Sequence, residues 1–128
     1  GCELTPNSVR PSTKCRKKLH KRVAEVFERA EYEMSNPVKA AEKHQTYADA
    51  VLRAGNVIRG WGNSFSFCTD DRLMRNVDRD LGKQFDEFND RYRRALLARD
   101  KVDRRRLLGF FQLADCKVDT TIRTLLAQ

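Results

Sequence analysis

The run Val9-Arg10-Pro11-Ser12-Thr13-Lys14-Cys15-Arg16-Lys17-Lys18-Leu19-His20-Lys21-Arg22 has the residue types and spacing to hold an anion. Between Leu4 and Ala24 the chain carries seven Lys or Arg side chains and no Asp or Glu. The formal net charge of the whole chain is +8, so the remainder is close to neutral. One concentrated positive end on a nearly neutral body is the electrostatic footprint of a polyanion binder, and nucleic acid leads the candidates. The ordinary alternative is a solvated basic face. Seven like charges without one acid exceed ordinary mixing, which favours a partner.

Other chemistry finds little support. Phe67-Cys68-Thr69-Asp70-Asp71 has the order of an aromatic-x-Asp-Asp polymerase motif, whose carboxylates hold metal ions in a turn between strands. Here the two acids open a strongly amphipathic stretch, and helix capping explains them. Ser, His and Asp are scattered, with no nucleophile elbow and no Walker-type phosphate loop. The four cysteines, Cys2, Cys15, Cys68 and Cys116, show no CxxC pair, and His20 and His44 are the only histidines. A local zinc cluster is therefore absent, and reduced, partly buried thiols are expected. No catalytic residue, metal or cofactor is expected within this chain.

These side chains need a scaffold of 128 residues, one domain's worth of chain. Forty per cent apolar residues can build a modest core, and the 34% charged residues alternate in sign after residue 24, as solvated helix faces do. Six Gly and three Pro are too few for an all-β fold with many tight turns. No apolar run nears the roughly 18 residues of a membrane span, and no signal-peptide segment is evident. A cytoplasmic, membrane-free, all-α protein is expected: a bundle of about four helices behind a short irregular N-terminal segment.

Residues 1–12 read as a loop interrupted by Pro6 and Pro11, with Cys2–Leu4 as the end of a strand from an upstream unit. Helix one starts at Ser12 or Thr13 and carries Cys15, Leu19, Val23, Val26, Phe27, Ala30 and Met34 on one face, up to the break at Ser35-Asn36-Pro37. Lys14, Arg16, Lys17 and Lys18 in its first turns oppose the helix dipole, an arrangement that an anion would relieve. Helix two runs from Pro37 or Gln45 to about Ile58, and Gly55 on its stripe suggests a tight crossing. After it, Trp61 is expected as an aromatic plug in the core. Helix three, capped by Thr69, runs to about Arg99, with Asp71–Arg75, Glu87–Arg91 and Asp90–Arg94 as exposed pairs. Helix four starts near Lys101 to Asp103 and places Leu107, Phe111, Ala114, Val118, Ile122 and Leu125 on one stripe. Residues 91–106 form a second basic region, in which Arg104 to Arg106 have no helix-dipole reason to be there.

Two stretches together resemble a known family. Gly1-Cys2-Glu3-Leu4 through Val9-Arg10-Pro11-Ser12-Thr13-Lys14 resembles the palm-to-thumb junction of bacterial group II intron and retron-type reverse transcriptases, where a strand gives way to a short hairpin and a Pro-Ser-x-Lys helix start. Ile58-Arg59-Gly60-Trp61-Gly62-Asn63-Ser64-Phe65 resembles the Gly-Trp-x-Asn-Tyr signature of the maturase region behind it. The match covers roughly residues 1–85. Phe65 stands two residues past Asn63, where the family has its aromatic immediately after the Asn, and residues 86–128 match no signature. The resemblance implies a linker from an upstream palm-like domain (1–12), thumb-like helices (13–66) and a maturase-like helical extension on the same core (67–128). It implies a non-catalytic region of an RNA-directed DNA polymerase that binds template–primer or structured RNA, mostly through its phosphates. The residues assigned to RNA or RNA–DNA hybrid are Lys14, Arg16, Lys17, Lys18, Lys21, Arg59 and Asn63. The further partner implied is the palm domain of the parent chain, and a homodimer is left open. The competing reading is a helical protein-interaction module with a basic end.

Overall fold

A computed structural model describes residues 2–5 and 8–115. The described elements are a two-stranded hairpin, β1 (Cys2–Thr5) and β2 (Ser8–Pro11), then helices α1 (Thr13–Glu33), α2 (Pro37–Glu42), α3 (Tyr47–Ser64), α4 (Asp71–Leu97) and α5 (Lys101–Leu108), and a final 3-10 turn at Leu113–Asp115. The all-α expectation holds. The N-terminal segment is not irregular: β1 and β2 pair antiparallel, Glu3 opposite Arg10 and Leu4 opposite Val9. Pairing across a turn is decided by cross-strand contacts, here the Glu3–Arg10 ion pair at 3.2 Å, which a one-residue-at-a-time reading misses.

The core follows the apolar periodicity. Leu19, Val23, Phe27 and Ala30 of α1 are buried, as are Ala50 and Ala54 of α3 and Val77, Leu81, Phe88 and Tyr92 of α4. Phe88 lies between Phe27, stacked at 4.3 Å, and Tyr47 at 5.8 Å. The Tyr92 hydroxyl donates to the Leu107 carbonyl at 2.8 Å and so fastens α5 to α4. Burial pushes the Tyr92 pKa well above the ordinary tyrosine value. Bonds from His20 to Gln84 and from Arg91 to Glu31 show that α1 and α4 run in the same direction. Tyr47 reaches Asn89, so α3 runs against both.

Helix boundaries depart from expectation where local chemistry decides. The second helical stretch is two helices. Asn36 caps α2 with Pro37 in its first turn, and the chain then breaks at His44, whose φ is 53°. Thr46 and Asp49 form a reciprocal capping box that restarts it. Helix α3 then runs through Gly60-Trp61-Gly62 to Ser64 rather than ending near Ile58. Trp61 is half-buried, in tilted contact with Phe65 at 4.7 Å, and its indole N–H has no hydrogen-bond partner among the described residues. Gly55 makes no tight crossing: a side chain there would meet open space. The cap of α4 is Asp70, whose carboxylate accepts from the Leu73 amide at 3.0 Å. Thr69 instead serves the hairpin, its hydroxyl accepting from Val9 N–H and its N–H donating to the Val9 carbonyl.

The long fourth helix does not form. Helix α5 ends at Leu108 because Gly109 turns left-handed, φ +99°. The Gly109 and Phe110 amides then close on the Arg106 and Arg105 carbonyls, a Schellman pairing. Phe111 and Ala114 lie beyond that stop and are exposed, while Val118, Ile122 and Leu125 lie outside the described residues.

Two glycines should respond oppositely to Ala. At Gly109 a Cβ would stand 2.8 Å from the Ala48 Cβ and 2.9 Å from the Thr46 hydroxyl, on a backbone that L-residues avoid. Gly109→Ala is expected to cost about 2–4 kcal/mol in urea unfolding. Gly55→Ala, on an exposed helix face, is expected to stabilise by about 0.5–1 kcal/mol.

Candidate nucleic-acid interface

The hairpin, the first half of α1, the end of α3 and the start of α4 occupy one end of the bundle, joined by Val9–Thr69 hydrogen bonding. Helix α2 packs on α5 at the other end. Because Leu19, Val23 and Phe27 point inwards, the 100° step of the helix turns Lys14, Lys17, Lys18 and Lys21 outwards. All four are exposed and, with Thr13, line one surface hollow. Among the described residues none of the four has a carboxylate partner within ion-pair distance. They stand at three- and four-residue separations, where like charges repel.

The other assigned residues lie elsewhere. Arg16 is not part of the lysine row. Its guanidinium donates to the Thr13 hydroxyl at 2.9 Å and to the Ser12 carbonyl at 3.4 Å, at the hairpin–helix junction. Arg59 and Asn63 are exposed one turn apart on the outward face of α3 and do not line the lysine hollow.

The helix start also carries its own anion. Glu3 reaches across from β1, and its carboxylate accepts from the Thr13 amide at 3.0 Å and from Arg10 at 3.2 Å. Ser12 caps the next amides through Cys15 N–H at 3.2 Å. The N-terminus of α1 is thus compensated from within the chain, and the uncompensated charge is the lysine face along its side.

The second basic region is largely spent on structure. Arg91 pairs with Glu31 at 2.7 Å, rather than with Glu87. Arg99 donates to the Ser35 carbonyl and Arg104 to the Leu96 carbonyl at the end of α4. Arg106 bridges Asp103 and Asp115 at 2.9 and 2.7 Å. In the short α5, Arg105 and Arg106 fall in the last turn, where the dipole favours them, so Arg104 to Arg106 do have a structural reason. Asp71–Arg75 and Asp90–Arg94 form no ion pair, as is common for exposed pairs that must order two long side chains.

Sequence reasoning missed a different set of cations. Arg22 and Arg29 of α1 and Arg53 of α3 border a depression of about 280 Å3 between the two helices. The signal was present in the spacing: Arg22 follows Lys18 by one turn, and Arg29 follows two turns later. Another depression, of about 490 Å3, is at the opposite end, between α2, the start of α3 and the segment after Gly109. No disulfide joins Cys2, Cys15 and Cys68 to one another, and no cluster of three metal-ligating side chains occurs among the described residues. No described helix is long and apolar enough to cross a membrane. No protein-family model, no curated protein and no solved structure matches the chain.

The Thr13 amide, then the Arg10 guanidinium, hold the Glu3 carboxyl below the usual glutamate range. A depressed folded-state pKa gives stability that is complete above the unfolded value, about 4.3, and is lost as pH falls through the folded one. The Thr13 amide resonance should therefore move in an acid titration with a midpoint below that of free glutamate. Glu3→Gln should abolish that step and weaken the hairpin–α1 contact at neutral pH. A Glu3 midpoint at or above the free value would contradict the assignment.

Proposed function

We propose that this chain is a nucleic-acid-binding helical region of a group II intron or retron-type reverse transcriptase. It is non-catalytic by itself and grips template–primer or structured RNA through backbone phosphates. One observation carries the binding reading: four exposed lysines on one face of α1, with no acid among the described residues to neutralise them. Their repulsion costs the folded state about 1–2 kcal/mol over four neighbouring pairs, a cost that a phosphate backbone removes. Lysine suits this role because phosphate tracking needs point charge and reach more than base-reading geometry.

The family reading is supported by order along the chain. A hairpin leads through Pro11-Ser12-Thr13-Lys14 into a Ser12-capped helix, and Gly60-Trp61-Gly62-Asn63 lies back at the same end. On this reading the parent chain is an RNA-directed DNA polymerase in the cytoplasm, and its palm domain precedes the hairpin. Lys14, Lys17, Lys18 and Lys21 make the primary contact. Arg16 orders the junction, and Arg59 and Asn63 belong to a second surface.

The test is a salt titration with a labelled RNA–DNA hybrid. Each phosphate contact contributes about 0.7–0.9 to the slope of log affinity against log salt. Replacing Lys14, Lys17, Lys18 and Lys21 together by Gln should remove about three from that slope while raising stability by about 1 kcal/mol. Gain of stability with loss of binding is the signature of residues kept for a ligand. Absence of hybrid binding at low salt, or a flat salt dependence, would overturn the reading in favour of a protein-interaction module.

A further inference from the structure

We infer that the groove between α1 and α3, bordered by Arg22, Arg29 and Arg53, is a second phosphate-binding site that continues the lysine face. The inference rests on the nucleic-acid reading above and extends the same surface. Its lining is Arg22, Glu25, Val26 and Arg29 from α1, Gln45 from the loop before α3, and Arg53 and Val57 from α3. Val26 and Val57 pack against the core, and Arg22, Arg29 and Arg53 are the cationic residues of the lining. Arg22 and Arg29 are exposed and Arg53 is half-buried.

The distinguishing feature is that these three arginines border one depression from two helices. Other arginines are divided: Arg10, Arg91 and Arg106 pair with carboxylates and Arg99 and Arg104 with carbonyls, while Arg59, Arg75 and Arg94 have no ion pair among the described residues. Arg22, Arg29 and Arg53 form no hydrogen bond or ion pair with any described residue, although Glu25 lines the same groove. Three arginines from two helices bordering one depression make a site for an anion with several oxygens, and a guanidinium can bind a phosphate bidentately.

Position selects a phosphodiester backbone over a free anion. Lys14, Lys18, Arg22 and Arg29 follow one another along one side of α1 over about 22 Å, from the helical rise of 1.5 Å per residue. At one phosphate per 3.4 Å along each strand, that length faces about six base pairs, whereas Lys14 to Lys21 alone faces about three. The two groups of cations thus form one track, first on the lysine ridge and then in the arginine groove. Glu25, between them, is a mild repulsive element on that track.

The experiment uses the 128-residue chain, a 16-base-pair RNA–DNA hybrid, and polyglutamate as a competing acidic polypeptide. Arg22→Gln, Arg29→Gln and Arg53→Gln together should weaken hybrid binding at least tenfold and remove about two from the salt slope. The corresponding triple Lys variant should recover the slope, since charge is kept, but not all of the affinity. Glu25→Gln should tighten binding a few-fold, a gain that no folding defect can produce. If the triple Gln variant binds like the parent while the lysine variant fails, the groove is not on the track and this inference alone falls. If neither set of substitutions alters hybrid binding, the nucleic-acid reading falls with it. If the arginine substitutions change only the affinity for polyglutamate, the groove serves an acidic protein and the inference is overturned.

Discussion

The ring of Phe88 is where three helices meet. Phe27 of α1 lies against it within 10° of parallel, and Tyr47 of α3 within 4°. A buried aromatic removes 150–250 Å2 from water, worth about 4–6 kcal/mol per ring as an upper figure. This contact sets more than stability. It fixes the rotation of α1 about its own axis, and that rotation decides which side chains face out. With Phe27 inward, the lysines stand on the side away from the core, and no ion pair with a described residue holds them there. The cationic face is a consequence of apolar packing on the other side of the same helix.

The same residue type therefore does two jobs in this protein, and the acid within reach decides which. In the region 91–106, Arg91 and Arg106 have carboxylates at 2.7 Å, and Arg99 and Arg104 close helix ends against carbonyls. Along α1, Lys14, Lys17, Lys18, Lys21, Arg22 and Arg29 lack such partners among the described residues, and Arg16 alone is tied to the junction. A count of charges cannot separate the two situations, since both runs look strongly basic. The separation requires knowing that Glu31 faces α4 and that Asp115 returns to α5. The start of α1 repeats the point. Glu3 is ten positions from Thr13 in sequence and becomes the helix-terminal anion only because the hairpin folds it back.

Legibility followed the range of the deciding interaction. The apolar stripe of α1 is local and periodic, and it predicts Leu19, Val23 and Phe27, which are core residues in the structure. Caps were readable in part. Ser12 was foreseen, whereas at α4 Asp70 took the cap because the hairpin recruited Thr69. Glycine misleads in both directions. Gly55, which suggests a tight crossing, sits within an ordinary helix facing open space, as do Gly60 and Gly62. Gly109 was passed over inside an apolar stripe, yet it ends α5 where Thr46 and Ala48 leave no room for a side chain. Period alone cannot see a close approach from another element. For the binding face, Lys14, Lys17, Lys18 and Lys21 came from the sequence as a group, while Arg16 had to be moved to the junction.

The arrangement on α3 explains why the remaining assigned residues stand apart. Asn56, Arg59, Gly60 and Asn63 are exposed on its outward side, and Arg53 lies at the border between that side and the groove to α1. A ligand in contact with both Lys18 and Asn63 has to cross that border. The groove is therefore not a detour between two independent patches. It is lined by both α1 and α3, and it carries arginine from both helices. The opposing directions of these helices also matter, because they bring the end of α3 back to the start of α1. A short α3 ending at Ile58 would have left Arg59 and Asn63 in a loop. The helix that in fact continues through Gly60 and Gly62 holds them on a helical face of their own, at a cost of about 1 kcal/mol per glycine in helix propensity.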